Sequence, residues 1–201
     1  SGGLSAATSE AVDIFDAAGF DFIFIESVGV GQVELRIEKV VDTTLVVLVP
    51  ESGDQVQAIK AGLMEIADIY VLNKSDRPGS NSALQALYSA LSFKGKHNED
   101  WDVEVMATVA SEGEGVKEVI SAIEKHRSFL NTDGKLEAKR LQQLKERIRN
   151  KVYDFIQTSL WSAERQLHLE QAVEKIQNGK ETPDSCALDI VKDYVGKQEL
   201  P

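Results

Sequence analysis

Sulfur ligands and disulfide partners are almost absent from this sequence. Among its 201 residues there are one cysteine, Cys186, and three histidines. One cysteine cannot form an internal disulfide framework or a cysteine-rich metal site, so we expect a protein of a reducing compartment, the cytoplasm. The chain opens with Ser-Gly-Gly and lacks a basic stretch followed by an apolar one, which argues against a signal peptide.

Positive charge and long apolar runs are also scarce. There are 22 Lys and Arg residues against 33 Asp and Glu, a formal net charge of −11. Contacts to nucleic-acid phosphates or anionic lipids need a basic surface, so we expect neither a nucleic-acid nor a membrane partner. The longest uncharged apolar run, 43–50, is far shorter than the roughly 20 residues of a bilayer-spanning helix. The composition is that of an ordinary globular protein.

The first 130 residues alternate between short apolar runs and stretches of helical periodicity. The apolar runs, which predict four strands, lie at 22–25, 45–49, 69–72 and 103–107. The helical stretches lie at 4–18, 54–67, 81–92 and 115–126. Such alternation predicts an α/β fold, a parallel sheet flanked by helices on both faces.

The remaining residues have the pattern of an all-helical segment. Apolar residues at helical spacing form one stripe: Leu141, Leu144, Ile148, Val152, Phe155 and Ile156. We expect one long helix there, a second helix over 165–178, and a third with Thr182 as its N-cap and Pro183 at its first position. The predicted domains are therefore 1–130 and 131–201. Residues 135–151 hold seven basic and two acidic side chains, which suits either a solvated helix face or a contact to an acidic partner.

Four polar residues, Asn73-Lys74-Ser75-Asp76, directly follow the predicted strand 69–72. Ligands of open α/β sheets bind at the carboxyl ends of strands. The Asp76 carboxylate can accept hydrogen bonds from the ring N–H and the exocyclic amine of guanine, Asn73 can bond the other edge of the base, and the Lys74 stem can cover its face. Adenine would leave the carboxylate unpaired, at a cost of about 1–3 kcal/mol. The alternative is a polar strand-to-helix turn.

Two further loops follow predicted strands. Glu26 follows the first strand, where a carboxylate can reach a hydrated Mg²⁺ or orient water, and Gly29 would let a backbone N–H approach a γ-phosphate. After the fourth strand, Thr108, Val109 and Ala110 are placed to offer a backbone N–H to the carbonyl oxygen of guanine. Each loop could equally be an ordinary turn.

Three segments of the chain resemble the MeaB/ArgK family of G3E-type GTPases, which accompany methylmalonyl-CoA mutase and its relatives. They are ESVGVGQVE at 26–34, PESGDQVQAIKAGLMEIADIYVLNKSD at 50–76 and TVASEGEGV at 108–116. The resemblance implies a P-loop NTPase sheet of the SIMIBI type, GTP or GDP with Mg²⁺ as cofactors, and a chaperone that gates adenosylcobalamin delivery to the mutase and protects it. It also implies a homodimer formed through a helical arm, residues 135–201.

The resemblance assigns roles to individual residues. Glu26 and Gly29 match the family's ExxG motif and are taken as catalytic, with Glu26 also as the Mg²⁺ contact. The residues that match the guanine motif are Asn73, Lys74 and Asp76, with Thr108, Val109 and Ala110 as the loop that contacts the base.

A further match concerns Asp54, Gln57 and Lys60, which correspond to a mobile switch segment that couples nucleotide state to the partner. Lys60 is also counted as catalytic. The three positions advance by threes along one flank of a predicted helix. From the pattern alone, the start of an ordinary amphipathic helix would explain them better.

Two departures from the family pattern matter. The family has ETVGVGQSE where this chain has Ser27 and Val33, and no GxxxxGKS phosphate loop occurs anywhere in the 201 residues. We therefore expect the sequence to be the carboxyl-terminal part of a longer GTPase, inactive by itself and missing a strand beside the one that ends at Glu26. The rival hypotheses are a non-hydrolysing interaction module and a metallochaperone GTPase, which would be expected to carry a Cys/His cluster.

Overall fold

The computed structural model of the protein describes residues 6–27, 34–50, 65–94 and 101–197. Within these ranges the helices are α1 (Ala6–Ala17), α2 (Ser80–Lys94), α3 (Val116–Leu130), α4 (Lys135–Leu160), α5 (Ala163–Gln177) and α6 (Pro183–Lys197), with one 3₁₀ helix at Glu34–Lys39. The strands are β1 (Leu45–Leu48), β2 (Ile69–Leu72) and β3 (Glu104–Ala107). The predicted order, an α/β part followed by helices alone, is confirmed.

The three strands form one parallel sheet in the order β1-β2-β3. The central strand β2 is buried on both faces. On one face, Tyr70 and Leu72 belong to the same core cluster as Leu87 of α2. On the other face, Ile69 and Val71 cluster with Ala122 of α3. Helices therefore cover both faces of the sheet, as the alternating pattern predicts.

The predicted first strand at 22–25 is wrong. These residues adopt no strand, and Phe22 and Phe24 are 49% and 84% exposed. Their rings stack on each other, with centroids 6.2 Å apart. A strand needs a neighbour to satisfy its backbone N–H and C=O groups, and the sheet of the described residues contains none beside 22–25. The apolar run therefore has no sheet to join.

The helical part matches its predicted boundaries closely. Helix α5 begins two residues earlier than expected, because the side chain of Ser162 accepts a hydrogen bond from Arg165 N at 3.3 Å and caps the helix there. Helix α6 begins at Pro183 as predicted, and Thr182 Oγ1 accepts a hydrogen bond from Ser185 N at 3.2 Å. Among the helices of the described ranges, none has the length and apolar character needed to cross a bilayer.

The chain divides into two compact units, Ser1–Gln143 and Leu144–Pro201, and α4 contributes residues to both. The second unit contains a partly open apolar pocket of about 240 Å³, lined among others by Trp161, Cys186 and Ile190. In the same unit the buried Arg165 donates to Asp193 Oδ2 at 3.3 Å and to Ser159 O at 2.9 Å.

Several basic side chains at the start of α4 are engaged within the first unit. Lys139 Nζ donates to Asp42 O at 2.6 Å. The guanidinium of Arg140 donates to both carboxylate oxygens of Asp42, in hydrogen bonds of 3.0 and 2.7 Å. Lys135 lies over the Phe129 ring, 4.1 Å from its centroid. These three side chains therefore stabilise the fold, and Arg149 is likewise paired, with Glu146 of its own helix.

A buried polar cluster joins the amino ends of β1 and β2 to α3. His126 is fully buried, and its Nδ1 lies 2.8 Å from Thr43 Oγ1. Its Nε2 lies 3.4 Å from Asp68 Oδ1 without forming a hydrogen bond. The other carboxylate oxygen of Asp68 accepts from Thr44 N at 2.8 Å, and its backbone carbonyl accepts from Trp101 Nε1 at 3.0 Å. The cluster thus holds the strand ends opposite the predicted ligand edge.

The environment of His126 favours the neutral imidazole. Burial lowers the pKa of His126 below its ordinary value of 6.5; the carboxylates of Asp68 and Asp42 oppose this effect, whereas the ammonium of Lys139 adds to it. In the unfolded chain the ring would accept a proton near its ordinary pKa. The unfolded state therefore binds more protons as the pH falls below 6.5, and the stability contributed by neutral His126 is lost in that range.

This linkage predicts a pH effect specific to His126. Between about pH 7.5 and about pH 5 the free energy of unfolding, measured with urea, should fall more steeply for the wild type than for His126→Gln, by up to about 1.4 kcal/mol per pH unit. His168→Gln, at an exposed position on α5, is the matched control and should keep the wild-type slope. Parallel slopes for the wild type and His126→Gln would show that the buried ring does not titrate on unfolding.

Candidate functional site

Two loops meet at the carboxyl edge of the sheet. Residues 73–76 follow β2, and residues 108–111 follow β3. Because β2 and β3 are parallel, with Leu72 opposite Ala107 in register, both chains leave the sheet side by side. Sequence reasoning placed guanine-contacting residues on each loop separately, and the structure brings the two loops into direct contact.

Four hydrogen bonds connect the two loops. Asn73 Oδ1 accepts from Thr108 Oγ1 and from Ala110 N, both at 3.1 Å. Thr108 O accepts from the backbone N and from the hydroxyl of Ser75, both at 3.0 Å. Since two donors already occupy its oxygen, the amide nitrogen of Asn73 is the group left to donate to a ligand.

Lys74 and Asp76 lie on the exposed side of this junction. Both side chains are exposed, whereas Asn73 between them and the sheet is half-buried. Lys74 adopts a left-handed backbone with φ of 56°, a conformation that costs a non-glycine residue about 1–2 kcal/mol. The turn is closed by Arg77 N, which donates to Lys74 O at 3.1 Å. The loop thus presents the Asp76 carboxylate and the Lys74 ammonium from a backbone whose unfavourable conformation is held by its neighbours.

Gly115 packs closely against the start of the second loop. It is the N-cap of α3, with φ of 75°. A Cβ atom built there would collide with Ala107 O and lie 2.9 Å from Thr108 Cγ2. Both the backbone conformation and the close approach therefore require glycine at this position.

Sequence reasoning gave Ser75 and Gly115 no role of their own. The available signals were the hydroxyl inside the Asn-Lys-Ser-Asp run and the second glycine of the Gly-Glu-Gly run that precedes α3. Neither signal names its partner: the Ser75 hydroxyl donates to Thr108 on the other loop, and Gly115 approaches Ala107 and Thr108 at the start of its own loop.

The phosphate-side residues of the prediction are not part of this junction. Glu26 is exposed at the end of the segment that failed to form a strand, and the four bonds between the loops do not involve it. Gly29, Asp54, Gln57 and Lys60 lie outside the described residues. Within the described ranges, no group of three or more His, Cys, Asp or Glu side chains is arranged to hold a metal ion.

The geometry can therefore bind the edge of a polar heterocycle, offering a fixed amide donor, a carboxylate and a backbone loop.

A family model described as methylmalonyl Co-A mutase-associated GTPase MeaB matches residues 1–165, most of the chain. The chain belongs to the MeaB family. The resemblance stated from the sequence is thereby confirmed.

Individual relatives agree with the MeaB assignment. The chain is 40% identical over 197 residues to a presumed GTPase of Pyrococcus abyssi, covering 97% of the chain and 61% of the relative. It is 33% identical over 199 residues to a mitochondrial methylmalonic aciduria type A homologue of Caenorhabditis elegans, covering 97% of the chain and 50% of the relative. The chain thus spans roughly half to three fifths of these relatives.

A solved structure shows the same fold. The crystal structure of an LAO/AO transport system kinase superposes with a TM-score of 0.74 at 28% identity, covering 92% of this chain and 60% of that one. The P-loop NTPase-like class, with helices following the sheet, is therefore confirmed for this MeaB-family chain.

The contact behind Thr108 generates a prediction with a matched control in the same loop. Gly113 and Gly115 have nearly equal backbone angles, φ of 78° and 75°, but nothing lies within 4 Å of a Cβ at Gly113. Gly113→Ala should cost about 1–2 kcal/mol in the free energy of unfolding for the left-handed backbone alone. Gly115→Ala should cost clearly more, because Ala107 and Thr108 must also move. Equal losses in urea unfolding would mean that the close approach contributes nothing.

Proposed function

We propose that the protein binds guanine nucleotides, with the base held between the loops 73–76 and 108–110. The observation that carries this proposal is the junction of Asn73 with Thr108 and Ala110. It supports a role in base binding because it fixes which end of the Asn73 amide faces a ligand. A donor at that point suits the acceptor nitrogen on the imidazole edge of a purine.

In this proposal Asp76 determines which base is bound. Its carboxylate is an acceptor only, so it matches the ring N–H and exocyclic amine of guanine and mismatches adenine. The side chain is exposed at the loop surface and, among the described residues, takes no part in the ion pairs that hold Asp42 and Asp68 in the fold. Lys74, beside it, would cover one face of the base with its alkyl stem.

We further propose that the complete protein hydrolyses GTP. Glu26 and Gly29 would act at the γ-phosphate, and Asp54, Gln57 and Lys60 would couple the nucleotide state to a partner, with Lys60 also acting in catalysis. Mg²⁺ would neutralise phosphate charge when bound. Glu26 is one exposed carboxylate, and one such ligand does not make a magnesium site.

The proposed partner is a cobalamin-dependent acyl-CoA mutase, methylmalonyl-CoA mutase or a related enzyme. The family description and the name of the Caenorhabditis elegans relative support this proposal. The finer role that we propose is to gate adenosylcobalamin delivery and to protect the mutase, and the proposed compartment is the cytoplasm. The alternative function is a non-hydrolysing interaction module, which the lack of GxxxxGKS in these 201 residues favours.

We also propose that residues 131–201 form a dimerisation arm, joined to its copy through residues 135–201. Helix α4 exposes the predicted apolar stripe: Leu141, Leu144, Ile148, Val152, Phe155 and Ile156, each between 45% and 60% accessible. Apolar side chains repeated every three to four residues on one helix face are typical of a surface that packs against another helix.

The guanine proposal predicts a change of base preference. In a form of the protein extended to the length of its relatives, Asp76→Asn should weaken GTP by several-fold to hundreds-fold and should improve xanthosine triphosphate relative to GTP. The amide can donate to the extra carbonyl of xanthine, which a carboxylate repels. Titration calorimetry measures both affinities, and an unchanged GTP affinity would remove Asp76 from base recognition.

The dimer proposal predicts a variant that separates the copies. The 201-residue chain should elute as a dimer or larger in size-exclusion chromatography with light scattering, and Ile148→Glu should shift it toward the monomer. Asn150→Glu adds the same charge at an exposed position about 200° around α4 from Ile148, and should stay dimeric. A strictly monomeric wild type would contradict the arm.

A further inference from the structure

The apolar pocket of the second unit is left partly open by the chain that forms it. Its walls come from the end of α4, from α5 and from α6, and include Leu160, Trp161, Val173, Ile176, Ile190 and Val191. Trp161, Val173 and Val191 are nonetheless 41%, 48% and 46% exposed. Large apolar side chains that line one concave surface and stay this accessible are typical of a surface that another molecule covers.

The size and lining of the pocket suit an apolar ring. Its volume is about 240 Å³. An apolar cavity of about 150 Å³ can hold a benzene molecule, so the pocket has room for a phenyl side chain. None of the residues that line it is charged, and their only side-chain N–H or thiol groups are those of Trp161 and Cys186. A polar metabolite would need more polar partners than these.

Phe155, on α4, is an exposed ring close to this pocket along the chain. Its side chain is 60% exposed and does not line the pocket of its own chain. Five residues separate it from Leu160 in the pocket wall, about 7.5 Å along the helix axis. A two-fold axis uses the same surface on both copies. An axis that passes between Phe155 and the pocket therefore places each ring in the pocket of the other copy.

Charge supports a second copy as the occupant. The part of α4 that belongs to the second unit, 144–160, holds four basic and two acidic residues, whereas 163–197 holds seven acidic and five basic residues. Packing α4 of one copy against α5 and α6 of the other joins a net positive helix to a net negative pair of helices. Two α4 helices side by side would instead bring like net charges together.

We propose that the two copies of the dimer exchange Phe155, the ring of each inserting into the pocket formed by α4, α5 and α6 of the other. The inference rests on the dimer proposed above and adds to it the surface that the α4 stripe contacts. A buried aromatic ring in a fitting pocket is a typical anchor of a stable interface. The acidic partner considered for the basic segment 135–151 is then a second copy of this chain.

Paired variants of α4 test the exchanged ring. In the 201-residue chain, Phe155→Ala should raise the dimer dissociation constant at least about 30-fold, measured by analytical ultracentrifugation, because each dimer loses two anchors. Tyr153 is the matched control: it is an aromatic ring of similar exposure, 63%, and lies about 160° around α4 from Phe155. Tyr153→Ala should change the constant less than about 3-fold.

A variant that fills the pocket tests the other side of the contact. Ala187 lines the pocket and is itself exposed. Ala187→Trp should occupy the pocket from its own chain and weaken the dimer by a factor similar to that of Phe155→Ala. Its far-UV circular dichroism should stay that of the wild type, which separates blocked docking from misfolding.

The reactivity of Cys186 reports directly on whether the pocket is occupied. Since Cys186 lines the pocket, a docked ring should shield its thiol. Alkylation by N-ethylmaleimide, followed by intact mass, should be several-fold slower above the dimer dissociation constant than below it. At the concentration where the wild type is protected, Tyr153→Ala should be protected as well, and Phe155→Ala should react at the fast rate.

The outcomes are distinct. A dimer whose dissociation constant is unchanged by Phe155→Ala, or in which Cys186 reacts as fast as in the monomer, would overturn the exchanged ring while leaving the dimerisation arm intact. A wild-type chain that stays monomeric would instead contradict the arm, and the exchange with it.

Discussion

Parallel pairing of β2 with β3 is the interaction on which the candidate site depends. Every residue of β2 is buried, so the strand is stable only with α2 on one face and α3 on the other. The same pairing carries the ladder past the strands, since Thr108 N donates to Leu72 O at 2.9 Å. Residues 73–76 and 108–110 therefore meet because of a strand register that is set several residues earlier.

The two ends of β2 are held by different chemistry. At the amino end, Asp68 is 6% exposed and lies among His126, Lys139 and the Thr44 amide, so its charge is used inside the fold. At the carboxyl end the loops are joined by neutral amide, hydroxyl and carbonyl groups, with no charge consumed. Asp76 can consequently remain exposed without weakening the junction. Stability thus depends on the acidic residue that precedes β2, and the proposed base recognition on one that follows it.

Features of the fold that depend on neighbouring residues could be predicted from the sequence pattern. The bounds of β2 match the predicted 69–72, and α6 begins at Pro183 as predicted. Both features could be predicted because an apolar run and a helix-capping sequence are signals carried by adjacent residues. The strand expected at 22–25 failed because strand formation depends on a partner elsewhere, and the apolar run does not specify one. Ser75 was missed for the same reason, since its hydroxyl donates to Thr108 on another loop, whereas Gly115 was missed because the pattern does not show how closely its own loop folds back on Ala107 and Thr108.

In the proposed function, base recognition and phosphate chemistry come from separable parts of the fold. The junction of the two loops is made wholly from residues that follow β2 and β3, and each of its bonds closes within the described residues. Affinity for a triphosphate requires consecutive backbone N–H groups and a cation around the phosphates, a demand that neither loop addresses. The groups that bind the phosphates can therefore change without disturbing the proposed contacts to the purine base. Discrimination between bases would then persist as a property of the β2–β3 edge, while the proposed hydrolysis and its coupling to a partner would depend on segments elsewhere in the chain or in its longer relatives.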